Sequence, residues 1–142
     1  MVIAACFDLE LKQYDAVNAF VHAPLPDKVY MQMPHGYRQH GKILWLNKAV
    51  YGLHQSPVLW QELFTTTLVN IGFKPIPYKP CCLAYNRILI FFYINDMVLA
   101  YQKNQESKAK DLMNQLKWHC NISGGEDLQW FLGIAIYQDQ SA

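Results

Sequence analysis

FFYINDMVLA, residues 91–100, places Asn95 and Asp96 side by side in a run that is otherwise almost wholly apolar. A buried strand does not tolerate a lone carboxylate, because taking a charge out of water is costly unless a partner or a metal compensates. Asn and Asp are, however, favoured in the turns of hairpins. The pattern therefore predicts two strands, 88–94 and 97–101, joined by a hairpin whose tip is Asn95 and Asp96.

Extended segments are predicted upstream of this hairpin as well. They cover residues 9–15, 28–33 and 42–47, and the first of them alternates between apolar and polar side chains before it ends at Asp15. Residues 74–80 are rich in proline and form the only linker-like break in the chain.

Two helices are predicted by apolar residues that recur at helical spacing. The first begins with Ser56 as N-cap and Pro57 at the first helical position, and it ends at Gly72. The second is capped by Asn104 and ends near His119. Each helix therefore has one apolar stripe that must be covered by another layer.

A last strand completes the predicted fold. After a turn at Gly124 and Gly125, residues 128–136 alternate strictly between apolar and polar side chains. The order of the elements predicts an α+β fold, in which the helices pack on one face of an antiparallel sheet. A chain of 142 residues is expected to form one domain.

Composition excludes some classes of function. The 12 basic and 11 acidic residues give no broad basic face for nucleic acid, so any such contact is expected to be local. No apolar run reaches the roughly 18 residues needed to cross a bilayer, so an intracellular protein without a membrane partner is expected. Apolar residues nevertheless make up 52% of the chain, which indicates surfaces that partners cover.

Asp15 and Asp96 form a candidate metal site, because Asp15 lies at the end of a predicted strand and Asp96 lies at the tip of a hairpin that could be close to it. Carboxylate oxygens are the ligands that Mg²⁺ prefers, and two ions about 4 Å apart can assist nucleotidyl transfer. The alternative is an ordinary hairpin turn in an unrelated α+β domain, in which Asp15 merely ends a strand. That alternative requires the two carboxylates to lie far apart.

Six motifs that follow one another along nearly the whole chain decide between these interpretations. They are QYDAVNAF at 13–20, VYMQMPHGY at 29–37, LNKAVYGLHQSPVLW at 46–60, GFKP at 72–75, FFYINDMVLA at 91–100 and LQWFLGI at 128–134. Together they resemble the reverse transcriptase of copia-type retrotransposons. The resemblance implies an RNA-directed DNA polymerase domain over residues 1–142, built as a palm with part of the fingers.

The resemblance also implies partners and cofactors. It implies two Mg²⁺ ions, an RNA or DNA template with its primer, a deoxynucleotide, and the remainder of a polyprotein. The cytoplasm, in virus-like particles, or the nucleus is the implied location. Upstream fingers, thumb and ribonuclease H are expected to be absent from this chain, and its oligomeric state is left open.

Roles follow from the resemblance residue by residue. Asp15 and Asp96 are implied as catalytic metal ligands, with Asn95 standing where the family has a catalytic aspartate. Substrate-binding roles are implied for Ala16, Phe20, Tyr51, Gly52, Tyr93 and Ile94, and primer-grip roles for Trp130, Phe131, Leu132 and Gly133. Phe20 corresponds to an aromatic gate beneath the sugar, although core packing explains it equally well, and an alternating strand explains the primer-grip segment equally well.

The Tyr-x-Asp-Asp motif of the family is altered here to Tyr93-Ile94-Asn95-Asp96. An amide carries no negative charge, and one missing unit charge at ~4 Å is worth about 4 kcal/mol per ion at an effective dielectric constant near 20. If the loss falls on the transition state, the rate drops about 10³-fold or more. The chain is therefore expected to be a degenerate polymerase fragment with little catalysis of its own.

A binding module without catalysis is the alternative function. It would hold nucleic acid or a related polymerase chain through its exposed face, with Tyr37, Trp45 and Trp60 as possible stacking surfaces. Packing in the core is the favoured interpretation of the two tryptophans.

Overall fold

A six-stranded antiparallel sheet dominates the computed structural model, which describes residues 2–139. In chain order the elements are α1 (Val2–Cys6), β1 (Glu10–Ala16), β2 (Pro24–Met31), β3 (Leu44–Lys48), α2 (Ser56–Ile71), β4 (Lys74–Ile76), β5 (Lys79–Tyr85), β6 (Ile88–Tyr93), β7 (Asp96–Tyr101), α3 (Glu106–His119), β8 (Ile122–Asp127), β9 (Trp130–Phe131) and β10 (Ile134–Ala135). The large sheet has the order β4-β5-β6-β7-β1-β8, while β2–β3 and β9–β10 form separate hairpins.

The connections of the large sheet give it a split β-α-β arrangement. The chain leaves β1, passes through α2 and returns by way of β6 and β7, so that β7 becomes the neighbour of β1. It then passes through α3 to β8, which pairs with the other side of β1. The predicted α+β fold with a mostly antiparallel sheet is therefore confirmed.

The main core lies between the two long helices and one face of the sheet. Trp60 stacks on Phe64 with ring centroids 5.0 Å apart, and Phe64 meets Phe92 of β6 edge to face at 4.8 Å. Leu112 and Leu116 of α3 are buried in the same cluster. The helical stripes predicted from spacing are thus the stripes that face the sheet.

A second, smaller core covers part of the opposite face of the sheet. Leu11 of β1 and Val98 of β7 lie there together with Leu128 and Phe131, which come from the segment around the β9–β10 hairpin. The ring of Phe131 meets that of Phe91 at 4.7 Å. These contacts hold the hairpin beside the sheet, next to one end of β1 and β7.

Helix boundaries differ from prediction at the N-termini. Ser56 is not the N-cap of α2, because Gln55 occupies that position and the buried Ser56 hydroxyl donates to the carbonyl oxygen of Val50 at 2.7 Å. Asn104 does not cap α3, since it lies in a short 3₁₀ turn that precedes Glu106. The predicted ends of the helices at Gly72 and His119 are confirmed.

Three predictions are also wrong: a linker, a strand and a turn. Residues 74–80 are not a linker but contain β4 and the start of β5, with the intervening turn at Tyr78 in a positive-φ conformation. Residues 128–136 do not form one strand, because the chain reverses at Leu132 and Gly133 between β9 and β10. Gly124 and Gly125, predicted as a turn, lie within β8.

None of the helices in the described part of the chain is both long and apolar enough to span a membrane.

Candidate active site

The predicted carboxylates face each other across two neighbouring strands. Asp15 of β1 is the register partner of Asp96 of β7, and the next pair is joined by a hydrogen bond from the Ala16 amide to the Asn95 carbonyl oxygen at 2.8 Å. Asp15 and Asp96 therefore form a pair without hydrogen bonds between them, the kind in which side chains approach most closely, with Cα atoms about 4.5 Å apart. The alternative that requires widely separated carboxylates is excluded.

A row of polar side chains extends from this pair across four strands. Register places Tyr93 of β6 beside Asp96, and Ser123 of β8 beside Asp15. Asp15 shares its face of the sheet with Leu11, because side chains alternate along a strand. The row thus lies on the face opposite the helices, at the end where the second core stops.

A cavity of about 250 Å³ joins this row to the β9–β10 hairpin. It is lined by both carboxylates and by Trp130 and Phe131, which belong to the predicted primer-grip segment. Its remaining lining residues include Gln13, Ser123, Gly124 and Glu126, none of which was predicted as part of a site.

Close approach of β8 explains why these residues escaped prediction. A Cβ atom at Gly124, where φ is +103°, would lie 2.7 Å from the Gln13 carbonyl oxygen, so only glycine fits. Glycine is rare in strands, and its presence here disguised β8 as a turn. The signal in the sequence is the pair Gly124 and Gly125, because glycine within a strand marks a place where another backbone approaches closely.

The surroundings of the carboxylate pair oppose ionisation of Asp15. Partial burial, followed by the negative charge of Asp96, raises the pKa of the Asp15 carboxyl group above its ordinary value of 3.8. Both side chains are nevertheless exposed to solvent and available to a ligand. A divalent cation between them would offset the repulsion by Asp96, which is the smaller of the two causes.

The hairpin tip that presents Asp96 is unusual in its backbone. The turn residues are Ile94 and Asn95, so the predicted tip is displaced by one residue and Asp96 begins β7. Ile94 has φ +55°, a conformation that a β-branched residue rarely adopts. The Trp60 indole N–H donates to its carbonyl oxygen at 2.8 Å and fixes the turn to α2.

The side chain of Asn95 is bonded to a tyrosine. Its amide nitrogen donates to the Tyr51 hydroxyl oxygen at 3.0 Å, and the ring of Tyr51 in turn contacts that of Phe20 with centroids 4.5 Å apart. Phe20 is only 5% exposed, whereas Tyr51 is 56% exposed. Phe20 thus packs in the core, and Tyr51 covers it on the solvent side.

The other predicted substrate and primer residues fall into two groups. Ala16 is buried in the main core, so its side chain meets no solvent. Exposed positions are occupied by Gly52, Tyr93, Ile94, Trp130, Leu132 and Gly133. Of the predicted primer-grip residues, only Phe131 is buried.

The donor set that the strand register brings together consists of two carboxylates. Between residues 2 and 139, no three His, Cys, Asp or Glu side chains are grouped so that they could hold a metal ion. Asp15 and Asp96 offer hard oxygen ligands suited to Mg²⁺. The Asn95 amide adds none, since it is hydrogen-bonded to Tyr51 instead.

An α+β domain with an exposed carboxylate pair at the end of its open sheet face is the class that the fold and the site define. A sequence model of the family described as reverse transcriptase (RNA-dependent DNA polymerase) matches residues 1–142. The chain belongs to this family, and its relatives are the Pol polyproteins of copia-type retrotransposons. The predicted resemblance is therefore confirmed.

Three relatives illustrate the match. The chain is 30% identical to a retrovirus-related Pol polyprotein from transposon TNT 1-94 of Nicotiana tabacum, over 99% of this chain and 11% of that polyprotein. It is 30% identical to the corresponding polyprotein from transposon RE2 of Arabidopsis thaliana, over 87% of this chain and 9% of the relative. The transposon Ty1-MR1 Gag-Pol polyprotein of Saccharomyces cerevisiae is 28% identical over 89% of this chain and 8% of its own length. The chain thus spans about a tenth of the length of these curated relatives.

Proposed function

We propose that this chain is the palm and part of the fingers of an RNA-directed DNA polymerase, with its nucleotidyl-transfer site at Asp15 and Asp96. In this proposal the large sheet with α2 and α3 is the palm, and the β2–β3 hairpin belongs to the fingers. The observation that carries it is the register pairing of the two carboxylates on the open face of the sheet, in a chain of this family.

The residues of the site have distinct tasks in this proposal. Asp15 and Asp96 would hold Mg²⁺, which when bound supplies the positive charge that assists attack by a primer hydroxyl and departure of pyrophosphate. Trp130 and Phe131, which line the same cavity, would position the primer end beside the carboxylates. Tyr51 would contact the nucleotide side of the site.

Replacement of an aspartate by Asn95 makes the proposed enzyme weak. Two carboxylates replace three, and the amide is bonded to Tyr51 rather than turned toward the pair. Removal of a unit charge about 4 Å from a cation costs about 4 kcal/mol for each unit of charge on that cation at an effective dielectric constant near 20, which corresponds to about 10³-fold or more in rate. We therefore expect this chain to bind a cation weakly and to catalyse slowly or not at all.

Paramagnetic broadening by Mn²⁺ tests the proposed site. Mn²⁺ is expected to broaden NMR resonances near Asp15 and Asp96, more strongly in Asn95→Asp, because a third carboxylate strengthens the site. Asp15→Asn should remove the broadening, whereas Asp111→Asn on the exposed surface of α3 should leave it unchanged. Broadening that survives in Asp15→Asn, or that is absent even in Asn95→Asp, would refute a metal site here.

Binding of nucleic acid without catalysis is a second candidate, favoured by the β2–β3 hairpin. Residues 24–48 contain four basic residues against one acidic residue, although the whole chain is nearly neutral. Tyr37 and Trp45 are exposed, contrary to the expected burial of Trp45, and the Lys28 ammonium group lies 5.9 Å from the Trp45 ring centroid. Trp60 is buried as expected and offers no stacking surface. Salt-sensitive binding of a primer-template that persists in Asp15→Asn would support this function.

A further inference from the structure

The contact between Asn95 and Tyr51 joins two segments that are far apart in the chain. Tyr51 lies in the loop that leads into α2, and Asn95 lies in the turn between β6 and β7. The amide nitrogen of Asn95 is 3.0 Å from the phenol oxygen, and the phenol oxygen is 3.5 Å from Oδ1. The shorter distance makes the amide the principal donor and the phenol oxygen its acceptor.

The backbone around Asn95 leaves this side chain little freedom to turn elsewhere. Its carbonyl oxygen accepts from the Ala16 amide at 2.8 Å, and the preceding carbonyl, that of Ile94, accepts from Trp60. The turn is therefore fixed to β1 on one side and to α2 on the other. The fixed backbone keeps the Asn95 side chain within reach of Tyr51, to which its amide is bonded.

Tyr51 needs such a partner because it is held by few other contacts. More than half of its surface is exposed, and its described ring contact is with Phe20. An exposed tyrosine in a loop loses rotamer freedom when it is held in one position. A hydrogen bond at the far end of its ring offsets part of that cost and keeps the ring over Phe20.

We infer that Asn95 is a positioning residue, which holds the Tyr51 ring over Phe20 beside the turn that leads to Asp96. If this chain binds a nucleotide as proposed above, the nucleotide would then meet an aromatic ring that is fixed in place. That second half of the inference rests on the proposed polymerase site, whereas the positioning of Tyr51 does not. Asn95 is then a structural partner of Tyr51 and not merely a lost metal ligand.

Proton–proton NOEs between the rings of Tyr51 and Phe20 test the positioning, measured in chelator so that no metal contributes. These NOEs are expected in the unaltered chain, to be lost in Asn95→Ala, and to persist in Asn95→Asp, where the phenol hydroxyl donates to the carboxylate instead. The Trp60 indole N–H resonance should remain in place in all three proteins, which reports that the turn is intact. Undiminished NOEs in Asn95→Ala would overturn the inference.

A nucleotide titration separates this inference from the proposed function. If both hold, Asn95→Ala and Tyr51→Phe each weaken deoxynucleotide binding by roughly 2- to 10-fold, the worth of one hydrogen bond. Tyr30→Phe is the matched control, because Tyr30 is equally exposed but lies in β2. Loss of the NOEs without any nucleotide binding would refute the proposed function and leave the positioning supported. Equal weakening by Tyr30→Phe would refute a specific role of Tyr51 in nucleotide binding.

Discussion

Two successive hairpins of the same sheet turn with two residues each, yet they are built differently. The turn between β5 and β6 uses Asn86 and Arg87, and Asn86 has φ +52°. The turn between β6 and β7 uses Ile94 and Asn95, and Ile94 has φ +55°. Asparagine is one of the few residues that tolerate positive φ, whereas a β-branched residue there is strained.

The difference shows which turn is held by its surroundings. Asn86 supplies the required conformation itself, so that turn depends on local chemistry alone. The turn at Ile94 is held by Trp60, by the backbone of β1 and by Tyr51. Strain persists where surrounding contacts over-determine a conformation, and such places are enriched at functional sites.

Among variants that test this difference between the two turns, loss of the hydrogen bond from Trp60 should change stability most. Trp60→Phe removes the indole donor, leaves the Ile94 carbonyl oxygen without its partner, and opens a space in the main core. We expect the free energy of unfolding to fall by about 2–3 kcal/mol. Chemical denaturation measures this change.

The matched control is Trp118→Phe, because Trp118 is 88% exposed on α3. It should change stability by no more than about 0.5 kcal/mol. Equal losses of unfolding free energy in the two variants would mean that the hydrogen bond and the burial of Trp60 do not stabilise the protein.

Release of backbone strain should give a smaller effect with the opposite sign. In Ile94→Gly the left-handed conformation no longer costs about 1–2 kcal/mol, although the added chain entropy of glycine offsets part of the gain. A net stabilisation of about 0.5–1 kcal/mol is expected in thermal or chemical unfolding. Asn86→Gly should change little, and a similar gain at both turns would contradict the contrast drawn between them.

The smallest effect should depend on pH. Because the pKa of Asp15 is raised in the folded protein, the folded state binds a proton more tightly than the unfolded state, and stability falls as pH rises through the folded pKa. Asp15→Asn should raise the free energy of unfolding by less than about 0.5 kcal/mol near pH 7, since solvent screens this exposed group. The two proteins should be equally stable near or below about pH 3, which unfolding curves at several pH values can check.

A constant difference between them at all pH values would argue against ionisation of Asp15 as the cause. Asp111→Asn on α3 supplies the reference for a carboxylate remote from the turn.

Local patterns made the helices and the β6–β7 hairpin predictable. The helical stripes on α2 and α3 repeat over several turns, and a repeating pattern identifies an element without knowledge of its neighbours. β4 and β8 escaped prediction because proline and glycine are depleted in strands, and only pairing with β5 and β1 stabilises these segments. A strand that depends on its partner for stability cannot be recognised from its own residues.

The candidate site likewise has one feature that the sequence predicts and others that it does not. Convergence of Asp15 and Asp96 was predictable, because the sequence predicts Asp15 at the end of a strand and Asp96 at the tip of a nearby hairpin. The contact of Asn95 with Tyr51 was not, since it depends on the path of the loop before α2. Burial of Phe20 beneath Tyr51 depends on the same path, which is why the motifs alone leave open whether Phe20 is a gate beneath the sugar or a core residue.

The central position of β1 has a consequence for the order of folding. It is the first strand of the chain, but its neighbours β7 and β8 begin about 80 and 110 residues later. During synthesis, the pairs of β1 with β7 and β8 cannot form until those later strands have been made, and closing such long loops slows folding. Asp15 therefore meets Asp96 late, and the carboxylate pair is among the last features of the fold to form.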